Sequence, residues 1–480
     1  MSFLIPPAIL RTGVSHFIGP VRSHVIFLRK VIPILIGLST IATIGYAVIQ
    51  GSLAVAVAYI LFGLIGLVLV GRDGRSSIEL FLLGYSIVNL FSVILYFVYM
   101  HRYGLPYFSG GSDDLEYERN ARLIYNHGLF FDSDAIKLTI GNPFHNSTGY
   151  IYVVNVLMHF GEMFGGFDTM LPKILNGAVL GLISVFVRRI GLQIQLTNYL
   201  SLIAGIWASL FPMMFYTASH SFRDILTVFL IVFTVFCTLK IKTLVKVKSI
   251  WNSLAYSIIV VICIILMLDF RFLNVIPMTL MLLSRWVYII FPIKRFRLRH
   301  VILFIALITS FFYFANEIDI FNQGVLIIQL YSESLGSGVQ SQTDGLSILL
   351  FNLPQPLQTV ARFFYALVTP LPVPSVDVEK NILGVGTLVQ FYFSVFVILG
   401  IGRMWRNPNN LPILLGFLIF FYSYMIGSFT FRHVTQWFPF AVLIGIIGYE
   451  NYKAYSNKIY SNITMFFIVA AFSYILMKLN

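Results

Sequence analysis

Apolar residues in this chain come in long blocks, and the polar ones gather between them. Thirteen blocks stand out, at 31–49, 52–71, 77–100, 170–189, 196–218, 222–240, 251–268, 272–291, 301–315, 382–402, 411–428, 433–449 and 459–477. A helix needs about 20 apolar residues to cross the ~30 Å hydrocarbon layer of a bilayer. Most blocks meet that length, and the short one at 301–315 can run on to Phe321. The pattern predicts an all-α, multi-pass helical membrane protein with about 13 transmembrane helices. Residues 1–480 form a single membrane domain in this reading. Two further apolar stretches, 150–164 and 357–372, are expected to be interfacial or re-entrant.

Charge decides that last point. With the N-terminus in the cytoplasm, the cytosolic links collect 21 of the 32 lysines and arginines but only three of the 19 acids, Asp73, Glu79 and Glu450. That is the positive-inside bias of membrane proteins. Counting 150–164 as a span would invert every later loop and carry Lys240, Lys242, Lys246 and Lys248 outside. The expected location is therefore the cell (plasma) membrane, with two large extracytoplasmic loops. The first, 101–169, holds surface helices; the second is 316–381.

Composition agrees. Hydrophobic residues are 58% and charged residues 11%, against ~25% charged in soluble domains. The net charge of +13 is spread over block ends and makes no basic face, so nucleic acid is not an expected partner. Cys237 and Cys263 sit inside apolar blocks, which excludes a disulfide framework. The mixed stretch before Val31, with Pro6, Pro7 and Pro20, is not read as a cleavable signal peptide.

The densest charge lies in Ser109-Gly110-Gly111-Ser112-Asp113-Asp114-Leu115-Glu116-Tyr117-Glu118-Arg119-Asn120-Ala121. Gly110-Gly111 gives a turn, Ser112 or Asp113 can cap a helix, and an amphipathic surface helix follows. Its apolar side would be Leu115, Ala121, Leu123 and Ile124. A carboxylate at that helix start is held by backbone N–H groups, which would keep it ionised. Asp113 and Asp114 are thus candidate catalytic bases or ligands of a divalent cation. The plainer alternative is a capping residue and a solvated face. Arg223, Arg271 and Arg432 break the charge rule by standing at outer span ends, with Asp224 and Asp269 close by in sequence. Converging on one cavity they would suit a phosphate; local salt bridges are the alternative. Glu116, Asp224, His220, His433 and Arg362 are possible supports. No histidine has zinc-site spacing. Tyr107, Tyr117 and Tyr125 could stack on a sugar.

Taken in order, these pieces resemble the GT-C superfamily of membrane glycosyltransferases, which includes the protein O-mannosyltransferases and the aminoarabinose transferases of lipid A. In those families a first outer loop carries an acidic pair in a surface helix, D-E-x-x-Y followed by an alanine. The similar run here is Asp113-Asp114-Leu115-Glu116-Tyr117 with Ala121 beyond, departing from the family in Asp114 where many members have Glu. Next come Asn142-Pro143-Phe144, His159-Phe160-Gly161, Lys173-Ile174-Leu175-Asn176-Gly177-Ala178, and Pro212 with Ser219-His220-Ser221-Phe222-Arg223-Asp224. Arg432-His433 with Pro439 resembles the late basic pair. The likeness covers about 75–240 and 425–450.

The resemblance implies a membrane glycosyltransferase of cell-surface polysaccharide biosynthesis, acting among membrane lipids. Its donor would be a polyprenyl-phosphate-linked sugar and its acceptor a hydroxyl on a glycan or lipid-linked acceptor. An aspartate would deprotonate that hydroxyl, with inversion at the sugar carbon, while arginines stabilise the leaving lipid phosphate. Some members use a divalent metal ion (Mg or Mn); here Asp113 and Asp114 would hold it. Two other classes compete. A Wzy-type repeat-unit polymerase or ligase leans on arginines in its late loop, where this chain has only Arg362 and Lys380. A flippase or transporter for lipid-linked oligosaccharide would bury ionisable groups at mid-span.

Overall fold

The computed structural model describes residues 18–128, 132–141, 147–241, 247–290, 353–354, 357–369, 377–427 and 430–451, with 461–462 and 465. It is all-helical, and no strand occurs among the described residues. The helices are α1 (Ile18–Gln50), α2 (Leu53–Gly71), α3 (Arg75–Tyr103), α4 (Asp113–His127), α5 (Ser133–Ile140), α6 (Thr148–Glu162), α7 (Met170–Gln193) and α8 (Asn198–Leu210). They continue with α9 (Pro212–Ala218), α10 (Asp224–Lys240), α11 (Val247–Arg271), α12 (Val275–Ile290), α13 (Leu357–Val368), α14 (Val378–Met404), α15 (Leu411–Gly427) and α16 (Phe431–Asn451).

Six helices are long and apolar enough to cross a membrane, or up to seven if the bent pair α8–α9 is one span. The expectation of about 13 is therefore not reached among the described residues. Of the thirteen blocks, 301–315 lies wholly outside them and 459–477 is described only at 461–462 and 465. Helices occupy the remaining blocks, but not all qualify. α10 and α15 have 17 residues each. α16 opens with Arg432, His433, Thr435 and Gln436, which dilute its apolar content. The stretch Ile250–Ile289 counts once by length and composition, yet it folds back at the 3-10 turn Phe272–Asn274. Well away from that turn on both sides, Trp286 Nε1 donates to Ser257 Oγ at 3.2 Å and joins α11 to α12. The two stretches expected not to cross appear as α6, of 15 residues, and α13, of 12. At 1.5 Å per residue both fall short of the hydrocarbon layer.

Helices α3 and α7 form the central pair. A Cβ on Gly84 would come within 2.9 Å of the Gly181 Cα, so the two backbones approach as only glycine permits. Helix α7 is buried on nearly every side. By contrast α1 and α2 expose Ile41, Val48, Leu53, Ile60 and Val68, an apolar surface that suits lipid tails. Cys237 and Cys263 are both free and buried, as their apolar surroundings predicted.

Proline shapes the approach to the site. Pro212 opens α9 and holds Phe211 in an extended conformation (φ −64°, ψ 121°), so α8 and α9 meet at a 52° bend. The bend turns the chain through Ser219–Ser221 toward the ends of α3, α4 and α16. At this same end of the bundle lie the C-terminus of α11 and the N-terminus of α10. The opposite end ties down its own cations: Arg188 donates to Ser77 and Asn198, Arg189 pairs with Asp73, and Arg285 donates to the Ile241 carbonyl and Asn409.

Candidate functional site

The site begins with the turn before α4. Gly110 and Gly111 have φ of 81° and 130°, a region that L side chains seldom enter. This turn folds Phe108 back over the start of α4. Ser112 is the N-cap and its hydroxyl accepts from the Asp113 N–H at 2.6 Å.

The two adjacent aspartates then part company. Asp114 is fully buried, its Oδ2 accepting from the Phe108 N–H at 2.8 Å and its Oδ1 from the Leu115 N–H at 3.0 Å. Burial raises its pKa above the ordinary carboxylate value, against the opposing pull of the Phe108 N–H and the Lys173 ammonium. Backbone donors at the helix start were expected to favour the ionised form; here loss of water outweighs them. Asp113 points the other way. Its side chain is 44% exposed, and its Oδ2 accepts from Arg432 Nη1 at 2.6 Å. Of the pair, Asp113 alone presents a carboxylate to solvent, and Asp114 acts as an internal clasp for the turn.

Helix α4 also faces inward differently from its expected register. Tyr117, Asn120, Ala121 and Ile124 are buried against α6 beside Asp114, while Leu123 and Glu116 are exposed. Tyr117 packs edge-on against Tyr150 at 5.1 Å, and Tyr107 is buried with its hydroxyl donating to Glu118 at 2.8 Å. Tyr125 lies 4.6 Å from the His159 ring. Burial removes Tyr107 and Tyr117 as open stacking platforms.

The three rule-breaking arginines meet here, with their partners exchanged relative to sequence. Arg271 pairs with Asp224 at 3.0 Å, across 47 residues, rather than with its neighbour Asp269. It also contacts His433 Nε2. Arg223 donates to Ser147 Oγ and, at 3.2 Å, to the Phe270 carbonyl, rather than pairing with the adjacent Asp224. Asp269 accepts from Thr148 at 3.2 Å. Arg432 joins Asp113 to Asp224, whose Oδ2 is 4.0 Å away, and lies over the Phe222 ring at 4.5 Å. That stacking adds a cation–π attraction.

Beneath Arg432 is an aromatic floor. The rings of Phe222 and His220 stack at 5.1 Å, and Phe108 meets both edge-on. His220 is buried; its Nδ1 donates to the Tyr216 carbonyl at 2.7 Å, so Nε2 accepts from the Tyr99 hydroxyl at 2.9 Å. Burial, together with the positive charge of Lys173, pushes its pKa down to about 3. A neutral imidazole with both nitrogens engaged holds the floor in place. Asn176 fixes the same turn by donating to the carbonyls of His220 and Phe222 at 2.8 and 3.1 Å.

No family model matches the chain, no curated protein matches it, and no solved structure matches it.

Among the expected residues, Asp113, Arg223, Arg271, Arg432, Asp224 and His433 share one cluster, and Asp114 and His220 lie directly behind it. Arg362 is carried by a separate element, α13, which packs on α14 and α15. Asn142, Pro143 and Phe144 lie outside the described residues. A divalent cation does not suit the donors present. Among the described residues no three His, Cys, Asp or Glu side chains are arranged so that they could hold a metal ion. Asp114 has both oxygens on backbone N–H groups, and Asp113 is bound to a guanidinium. Sequence reasoning missed the floor of Phe108, Phe222 and Tyr99 and the role of Ser147. Among 46 phenylalanines nothing singles out two.

Proposed function

We propose that this chain is an integral-membrane glycosyltransferase, moving a sugar from a polyprenyl-phosphate carrier to an acceptor hydroxyl at one rim of the bundle. One observation carries the reading. Arginines from three separate segments, Arg223, Arg271 and Arg432, converge beside the half-exposed carboxylate of Asp113 at the ends of apolar helices. Ionisable groups in such a setting normally serve a cavity or a substrate. A lipid-linked phosphate would reach that rim with its tail among the helices.

In this reading Asp113 takes the proton of the acceptor hydroxyl. The oxygen forms a new bond to the anomeric carbon from the face opposite the phosphate, and the carbon–oxygen bond to the phosphate breaks. The electron pair leaves with the lipid phosphate, whose added charge the guanidiniums stabilise. Asp114 positions the turn and takes no part in proton transfer. The rim is taken as extracytoplasmic from the distribution of lysine and arginine.

The test uses purified protein in nanodiscs with a single-sugar polyprenyl phosphate and a mixture of glycan acceptors. Turnover, with loss of at least ~100-fold in kcat for Asp113→Asn, is expected. Activity confined to a polyprenyl-diphosphate oligosaccharide would favour the polymerase reading. Full activity of Asp113→Asn would end the assignment of the base.

A further inference from the structure

The two ion pairs of the cluster differ in how they meet water. In the inner pair the Asp224 side chain is 4% exposed and Arg271 is 17% exposed. In the outer pair Arg432 is equally covered, but Asp113 is 44% exposed. Separating the inner pair would leave a buried carboxylate without its cation, which is costly. Separating the outer pair releases Asp113 into solvent, at the small cost of a surface ion pair. Only the outer pair is built to open.

The Asp113 carboxylate is also the right shape to hold a place. It presents an oxygen to Arg432 Nη1 at 2.6 Å, as a phosphate oxygen would. When it leaves, Arg432 keeps its position through Asp224 at 4.0 Å and the Phe222 ring at 4.5 Å. The guanidinium is therefore held toward the rim whether or not Asp113 is bound to it.

We infer that Asp113 is an internal competitor for the substrate anion: a phosphate monoester or diester oxygen displaces it from Arg432, and the displacement frees the carboxylate lone pair to accept the acceptor proton. Donor binding and unmasking of the base are then one event, so the base is engaged with Arg432 whenever no donor is present. This rests on the reading of the cluster as a transferase site. Both sources of such a phosphate, a lipid carrier and free phosphate, use the same oxygen chemistry.

Binding is measured on the full-length protein in zwitterionic phosphatidylcholine nanodiscs, following tryptophan fluorescence, with farnesyl monophosphate in one arm and inorganic phosphate in the other. Asp113→Asn should bind farnesyl monophosphate roughly two- to fivefold more tightly than wild type, the gain of removing a half-exposed competitor. Arg432→Gln should bind at least about tenfold more weakly, and adding Asp113→Asn to it should restore nothing. If Arg432→Gln does not fold, Arg432→Lys, which keeps the charge but loses the fork, takes its place in the same comparison. Asp113 is exposed enough that its own variant is not at risk. A gain in the farnesyl arm alone assigns the site to a lipid carrier, and an equal gain in both assigns it to the phosphate group itself; either supports the exchange. Equal or weaker binding by Asp113→Asn overturns it, and with wild-type turnover intact leaves the transferase reading standing. If neither protein binds either probe, the exchange and the transferase reading both fall.

Discussion

His220 gives the most quantitative prediction. Its imidazole is buried and held at a pKa of about 3, against an ordinary value of 6.5. Between those values the unfolded chain takes up a proton at this position and the folded chain does not. Stability from this residue is therefore complete above about pH 6.5 and is lost as pH falls toward 3. Each unit of pH below 6.5 costs about 1.4 kcal/mol. Moving from about pH 7.5 to about pH 5 should remove about 2 kcal/mol. The comparison is His220→Asn, which cannot titrate but can still donate toward the Tyr216 carbonyl. The variant will be less stable at neutral pH. The decisive quantity is the difference between the two proteins at each pH, read by thermal or denaturant unfolding in detergent with tryptophan fluorescence. Wild type should lose about 2 kcal/mol more than the variant over that interval. Parallel profiles would mean that the imidazole is hydrated in the folded state and that the floor under Arg432 is not closed.

Three further predictions concern the same frame. Arg271→Gln leaves Asp224, 4% exposed, without its 3.0 Å partner and should cost about 3 kcal/mol; unfolding measurements should show Asp224→Asn recovering part of this in the double variant. Asp114 has the opposite sign to His220. Its raised pKa means the folded state binds a proton more readily, so its penalty is present above the folded value and disappears as pH falls to the ordinary aspartate value of 3.8. Wild type should accordingly gain stability relative to Asp114→Asn as the medium is acidified from neutrality. Gly181→Val would set a Cβ 2.6 Å from the Phe81 carbonyl oxygen. Forcing α3 and α7 apart should cost about 2 kcal/mol or more, seen as a lower melting temperature and yield.

Much of the helical frame was legible because burial in lipid demands long apolar blocks, and such blocks are visible one residue at a time. The number of qualifying spans was less so. A 17-residue helix such as α10 and a polar-headed one such as α16 both read as spans when only block boundaries are compared. The site residues were legible as exceptions: arginines where the charge rule puts none, and a carboxylate pair after a glycine turn. Their partnerships were not. Adjacency suggested Arg223 with Asp224 and Asp269 with Arg271, but side chains one or two residues apart at a helix end point in different directions. The pairs that form instead join α10 to α11 and α4 to α16. The roles of Asp113 and Asp114 were equally hidden. One residue of helical rotation separates a rim carboxylate from a buried one, and the helix phase is set by the packing of Tyr117 and Ala121 on α6.

The arginines at this rim each engage partners from more than one place in the chain. Arg223 reaches Ser147 and the Phe270 carbonyl, Arg271 reaches Asp224 and His433, and Arg432 reaches Asp113 with Asp224 beyond. Helix ends lack the backbone pairing that joins neighbouring strands, so at the rim of a helical bundle side chains must supply the cross-links. A guanidinium offers five donors in a rigid plane and can bridge two elements at once, whereas an ammonium is a flexible point charge. The same planar fork that staples α4, α10, α11 and α16 together is the group best matched to a phosphate. In the proposed reading, structure and ligand therefore draw on one set of donors. An anion arriving there would need no preformed vacancy, because it would take over a hydrogen bond that the most exposed acceptor already holds.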